Sequence, residues 1–399
     1  MNNMNKRSAS RDVGSNVRRT TRYGAWVAGV LVAAGTLVAS PAQAIVGDSA
    51  GDGEKAYVAK IEIGATDRAC TGALIEARWV VTAASCFVDD PAQYASVPAG
   101  APSLPAKVTV GRTDLTTTSG QVRDIVELIP RTDRDLVLAR LSAPVSNVTP
   151  VALSATAPTN GEALTAGGYG RTKTEWVPNR LHTGAFTVTG TRGLELDIDG
   201  QDGAAICKGD AGGPVVRAGT SGDELVAVSS RSWQGGCFGS EETRTGAIAS
   251  RADDLAAWVT TAVTAPHTLT NKATGKCLAV PQASLDNGTK LMQWTCTGNS
   301  EQQWHLEKVA GGNGDRYRVR NQNSNRCLAI PQAGLDNGTQ AIQWTCSGSN
   351  DQIWINDSIG RLRNLNSDKC LAIPQANPAI GTAAVQWTCS TNNDQRWTW

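Results

Sequence analysis

The sequence predicts an all-β protein in two parts, a barrel or sandwich followed by a threefold unit. Three observations point there. From Ile45 to about Val263 the chain runs as short Val-, Ile- and Thr-rich stretches broken by Gly, Pro and Asp, the texture of strands joined by turns. Beyond "TAPHT" it repeats itself, as "KCLAVPQASLDNGTKLMQWTCTGNSEQQW", "RCLAIPQAGLDNGTQAIQWTCSGSNDQIW" and "KCLAIPQANPAIGTAAVQWTCSTNNDQRW". Each copy opens on a cysteine (Cys277, Cys327, Cys370) and meets a second one nineteen residues later (Cys296, Cys346, Cys389). A repeat that carries its own staple argues for three copies that each supply a third of one core. One helix is expected, over Ala252 to Val263 ("ADDLAAWVTTAV"), with acids in its first turn and apolar residues at helical spacing.

The first 44 residues stand apart. Lys6, Arg7, Arg11, Arg18, Arg19 and Arg22 precede an apolar run from Tyr23 to Val38 that ends in "SPAQA", which reads as an export signal cut after Ala44. The run is too short and too rich in Gly and Ala to span a membrane comfortably, so no span is expected in the mature chain. The pair Arg18-Arg19 hints at the twin-arginine route, although "NVRRTTRY" fits that pattern poorly. Either route leads outside the cell's interior. The leader takes six of the 37 Lys+Arg and one of the 36 Asp+Glu, leaving a formal charge of −4, which gives no reason to expect a nucleic-acid partner. All ten cysteines lie beyond the leader, an even number suited to five disulfides in an oxidising compartment. There is no C-x-x-C pair and there are only three histidines (182, 267 and 305), so no zinc site or other metal or cofactor is expected.

Three segments resemble the trypsin-like serine peptidases across residues 45–264. "CTGALIEARWVVTAASCF", Cys70 to Phe87, is similar to the family's stretch ending T-A-A-H-C, with Ser85 at the histidine's position. "DRDLVLARL" resembles the strand that carries the acidic member, here Asp135. "CKGDAGGPVV", Cys207 to Val216, is similar to the nucleophile loop C-x-G-D-S-G-G-P, with Ala211 where the serine stands. The resemblance implies a double β-barrel and a triad of which only Asp135 is kept. Acyl transfer needs a nucleophilic oxygen and a base about 3 Å from it. Alanine has no side-chain oxygen, and a serine hydroxyl does not accept a proton near neutral pH. Losing such a group typically costs about a millionfold in turnover. The oxyanion hole, implied at the N–H groups of Gly209 and Ala211, would leave at most a small residual rate. His182, in "NRLHTGAF", lies outside all three segments and is expected to be an ordinary strand or surface residue. Asp135 is expected to be buried and hydrogen-bonded.

The same resemblance implies a specificity pocket at Ala205, Trp233 and Gln234. Ala205 replaces the acid that trypsins use for Lys and Arg. Gln234 replaces a glycine that keeps the mouth open, so the pocket should be apolar and partly obstructed. It also implies disulfides Cys70–Cys86 and Cys207–Cys237. Cleavage after Ala44 would free Ile45 at the head of "IVGD", similar to the activated terminus I-V-G-G. The new ammonium is expected to pair with Asp210 without a zymogen stage, because a lone buried carboxylate would cost several kcal/mol.

The repeats, with their Q-x-W triplets at Gln302, Gln352 and Gln395, resemble the ricin-B type β-trefoil across residues 268–399. The resemblance implies binding of galactose-like sugars or plant-wall polysaccharides, by an aromatic that stacks on the sugar's C–H face and polar groups that take its hydroxyls. The stacking candidates are Trp294, Trp344 and Trp387, with Gln302, Gln352 and Gln395 as candidate sugar contacts; the tryptophan of each Q-x-W is expected in the core. The family's usual acid after C-L is alanine in every copy (Ala279, Ala329, Ala372), while Glu301, Asp351 and Asp394 precede the triplet glutamine where asparagine is common. The carboxylate is therefore expected to have crossed the site. The third copy reads "NPAIG" instead of "LDNG", so lobes one and two are the expected binders. "DNG" itself is a tight-turn signal.

These readings give a leader at 1–44, a trypsin-like part at 45–264, a linker at 265–267 and a trefoil at 268–399. The expected protein is secreted, binds carbohydrate, and offers an inactive cleft to a peptide or protein partner. The alternative is a working endopeptidase carried to its substrate by the lectin part, for which fold alone is no warrant.

Overall fold

Leu136–Leu141 reads "LVLARL" and Val58–Ile63 reads "VAKIEI", and both are buried along almost their whole length. Strands covered on both faces read as nearly continuous apolar runs. The computed structural model describes residues 45, 47–65, 68–311 and 315–399, so the expected export signal at 1–44 lies outside the described residues. Six strands close the first barrel in the order Val58–Ile63, Arg68–Glu76, Trp79–Thr82, Leu136–Leu141, Gln121–Arg131 and Ala106–Val110. A second six-stranded barrel runs Ala163–Gly168, His182–Arg192, Glu195–Gly200, Ala247–Arg251, Gly222–Ser232 and Pro214–Gly219, the last pairing back to the first. Closure removes the exposed edges that a flat sheet would present. Leu74, Val80 and Leu138 centre the first core, and Phe186, Leu196 and Val226 the second.

The helix spans Ala256–Thr264, four residues later than its sequence pattern begins, and has no acid in its first turn. Asp253 and Asp254 are engaged elsewhere. Both Nη atoms of the buried Arg134 donate to the Asp254 carboxylate at 2.7 Å, and Arg251 donates to Asp253 at 2.7 and 3.0 Å. These pairs hold the strand-to-helix junction as a turn.

The second part is a three-lobed β structure. Each copy sends one leucine (Leu278, Leu328, Leu371), one branched residue (Val280, Ile330, Ile373) and one tryptophan (Trp304, Trp354, Trp397) into a single core. The three buried indole N–H groups donate to the carbonyls of Leu278, Leu328 and Leu371 at 3.1, 2.9 and 3.0 Å, so no polar atom of these rings is left unpaired. The five disulfides join Cys70–Cys86, Cys207–Cys237, Cys277–Cys296, Cys327–Cys346 and Cys370–Cys389. No helix among the described residues is long and apolar enough to cross a membrane.

The described residues form one compact unit, and the two parts meet at Arg78. Its guanidinium lies 3.9 Å over the ring of Trp399 and donates to the carbonyls of Leu141 and Ser142. Lys308 pairs with Glu76 across the same junction. His267 extends the trefoil's first strand pairing, opposite Trp304. Lost solvation and the charges of Arg140, Arg78 and His305 push its imidazole down to about 3.

An unfolded histidine titrates near 6.5, so between about 6.5 and 3 the unfolded chain holds a proton at His267 that the folded chain does not. This group therefore subtracts stability as pH falls through that window, by at most roughly 1.4 kcal/mol per pH unit. In thermal unfolding, His267→Gln is expected to gain on the unmodified protein progressively from pH 7 to pH 4.

Candidate functional site

The turn Ala84–Phe87 follows strand Trp79–Thr82 and is stapled to strand Arg68–Glu76 by Cys70–Cys86. It sets Ser85 against Asp135, which is 4% exposed. The Asp135 carboxylate accepts from Ser85 N at 2.7 Å, from Ser85 Oγ at 2.9 Å and from Ser230 Oγ at 2.6 Å. Three donors satisfy it, and the third comes from the other barrel. Ala211 sits on a loop fixed by Thr71, whose N–H donates to the Ala211 carbonyl and whose Oγ1 donates to the Gly209 carbonyl, each at 2.9 Å. The loop closes this tightly only through Gly212, at φ +85°, where a Cβ would lie 2.0 Å from Thr82 Oγ1.

Ser85, Gly209 and Ala211 line one cavity of about 680 Å³, together with Lys60, Arg171, Lys208, Arg231 and the exposed Trp176 and Val177. None of the three histidines borders it. His182 is buried in strand His182–Arg192, its Nε2 3.0 Å from Ser49 Oγ, and burial pushes it down to about 4. Ala205 is closed off beside the Cys207–Cys237 disulfide. Gln234 adopts φ +67° and spans the mouth, donating to Ser232 Oγ at 2.8 Å and accepting from Lys208 N at 3.0 Å. Trp233 is not on the cavity wall, contrary to the sequence expectation. Its ring lies under Arg244, 4.0 Å away, because the strand pairing shifts between Ser229 and Arg231 and turns Ser230, Arg231 and Ser232 toward the cleft instead.

Asp210 is wholly buried. It accepts from Gly170 N at 2.7 Å and Cys207 N at 2.9 Å, and lies near the buried Lys60 ammonium. Lost solvation nonetheless pushes its carboxyl up to about 7. The Ile45 side chain fills the second barrel's core, and among the described contacts none joins it to Asp210.

In the second part Trp294, Trp344 and Trp387 stand 43%, 45% and 44% exposed, opposite Cys277, Cys327 and Cys370 on the neighbouring strands. Glu301, Asp351 and Asp394 lie on the short turns Ser300–Gln302, Asn350–Gln352 and Asn393–Gln395. Trp387 and Asp394 share a cavity of about 680 Å³ with the floor residue Ala372. Burial raises the carboxyls of Asp351 and Asp394. Gln302, Gln352 and Gln395 are buried, each taking one backbone N–H on its oxygen and giving one N–H to the carbonyl of Thr295, Thr345 or Thr388. They shape the wall that follows each exposed tryptophan, a structural task where sequence reasoning had them as ligand contacts.

Comparison with known families places these two geometries. A sequence model of the Trypsin family matches residues 44–259, more than half of the chain. The chain belongs to the trypsin family. Residues 265–397 match the ricin-type beta-trefoil lectin domain, so a trypsin-like serine peptidase domain is fused to a lectin domain. Among solved structures, a designed 3-fold symmetric protein, ThreeFoil, is 27% identical over 33% of this chain and 96% of its own, with a TM-score of 0.32. No curated protein matches.

Lys60 of the trypsin domain escaped the sequence reading because it sits mid-strand among apolar residues and gives no motif. Arg231 escaped through the same shift that displaced Trp233. Asp135→Ala would strip the acceptor from Ser85 and Ser230. It is expected to cost about 2–3 kcal/mol in urea unfolding while leaving the lectin domain's binding unchanged.

Proposed function

We propose that the mature protein is a secreted carbohydrate-binding protein whose trypsin domain does not turn over peptides. The observation that supports this most is the Asp135 network: the carboxylate that should orient an imidazole is instead satisfied by the hydroxyls of Ser85 and Ser230, with the methyl of Ala211 across the cleft. On this reading Ser85, Asp135 and Ala211 occupy degenerate triad positions, and Gly209 and Ala211 keep an oxyanion hole with nothing to attack through it. The leader is removed after Ala44, and the ammonium of Ile45 joins Lys60 beside Asp210. The trypsin domain spans 45–264 and the lectin domain 268–399, joined by 265–267.

The lectin domain anchors the protein to polysaccharide or cell-surface glycan through Trp294, Trp344 and Trp387, with Glu301, Asp351 and Asp394 as hydroxyl acceptors. The cleft then offers a peptide or protein partner a wall bearing Lys208 and Arg171 beside Trp176.

With mixed peptide substrates the mature protein should turn over about a millionfold more slowly than an active family member. Turnover abolished by a serine-peptidase inhibitor would overturn the reading. Because Asp135 is already in place, Ser85→His with Ala211→Ser should recover measurable cleavage, whereas Ala211→Ser alone should not.

A pull-down on insoluble polysaccharides tests the lectin half, with expected retention lost in Asp351→Asn/Asp394→Asn. The raised carboxyls take up protons at higher pH than exposed ones, so retention should weaken as the medium is acidified.

A further inference from the structure

The lobes of the lectin domain brace one another in a ring. Gln343, buried behind Trp344, donates from Nε2 to the carbonyls of Ser284 and Asp286 in copy one, at 2.8 and 2.9 Å. Gln386 holds Gly334 and Asp336 of copy two in the same way, and Gln293 holds Asn377 and Ala379 of copy three. Each exposed tryptophan is thus backed by the glycine turn of another copy. A Cβ on Gly288 would lie 3.5 Å from Trp344, one on Gly338 3.6 Å from Trp387, and one on Gly381 3.9 Å from Trp294.

The asparagine before that glycine adds a clamp. Asn287 accepts from Thr345 N at 2.8 Å and donates to Thr345 Oγ1 at 3.0 Å, and Asn337 does the same to Thr388 at the same distances. In copy three the equivalent position is Ile380, which has no side chain able to clamp Thr295. The departure "NPAIG" therefore removes the asparagine clamp beside Trp294 in lobe one, while lobe three keeps its own through Asn337, opposite to the lobe order expected from sequence.

A second difference opens lobe three. Asn323 bridges the rim of lobe one, donating to the Ala283 carbonyl at 2.9 Å and accepting from Ser300 Oγ at 3.3 Å. Asn366 donates to the Ala333 carbonyl of lobe two at 2.9 Å. The matching residue at lobe three is Ala273, whose methyl makes no such bridge and lines the cavity of about 680 Å³ with Trp387, Asn392, Asn393 and Asp394. That volume lies within the roughly 300–1,000 Å³ typical of small-molecule sites, more than a single sugar ring fills.

We propose that lobe three, opened by Ala273 and with Trp387 positioned by Asn337, is the principal saccharide site and takes a chain of at least two sugar units, while lobe one is the weakest. This rests on the carbohydrate-binding reading above. An array of immobilised mono- to tetrasaccharides, followed by titration of the best soluble probe into the mature protein, tests both and separates them. Trp387→Ala is expected to weaken binding about tenfold or more, and Trp294→Ala less than about twofold, equivalent to under 0.5 kcal/mol. Ala273→Asn, which installs the side chain lobes one and two already carry, should weaken a trisaccharide about fivefold or more and leave its monosaccharide nearly unaffected. Equal losses from Trp294→Ala and Trp387→Ala, or a trisaccharide indifferent to Ala273→Asn, would overturn the lobe assignment with the lectin reading intact. An array on which the unmodified protein binds nothing would overturn the lectin reading itself, and the assignment with it.

Discussion

A carboxylate removed from water must be met by donors, and two such groups tie the trypsin domain together across its barrels. Asp135, from the first barrel, is met by Ser85 of its own barrel and by Ser230 of the second. Asp210, from the second, is met by backbone N–H groups and by the charge of Lys60 from the first. An unpaired buried charge would cost several kcal/mol, so the loops carrying Ser85, Ala211 and Gly170 are held in register whatever chemistry they support. The cleft's shape follows from this electrostatic debt and from Gly212, which lets the loop settle against Thr82.

The lectin domain solves the equivalent problem with neutral groups. Buried amides at Gln293, Gln343 and Gln386 reach from one copy to the loop of another, and the buried Asn271, Asn321 and Asn364 donate to the carbonyls of Asp394, Glu301 and Asp351. No copy is complete alone. Gln282 and Ala283 both adopt positive φ, and so do their counterparts in the other two copies, so each copy carries the same strained turn, which in lobe three lines the cavity of Trp387.

The two-part all-β architecture was legible because its signals are local: repeats, staples and short β-branched runs survive without knowledge of the fold. The burial of Asp135, Trp304, Trp354 and Trp397 was legible through the family resemblances that their motifs carry. The misreadings arose where one segment answers to a distant one. The helix begins late because Arg134 captures Asp254 across 120 positions. Trp233 left the cleft through a shift in strand pairing that no motif records. The departure in copy three bears on Trp294 because the turn of each copy backs another copy's tryptophan, and a repeat read one copy at a time assigns each departure to its own lobe.

The junction at Arg78 has a mechanical meaning. A guanidinium stacked on Trp399 and the pair between Glu76 and Lys308 dock the two domains directly against each other. A flexible tether lets a tethered module search a volume set by its length. Docked domains search far less, so on the carbohydrate-binding reading proposed above a molecule seated in the cleft would be displayed in a narrow range of heights and angles. Geometry would then decide which neighbours on that surface it could touch.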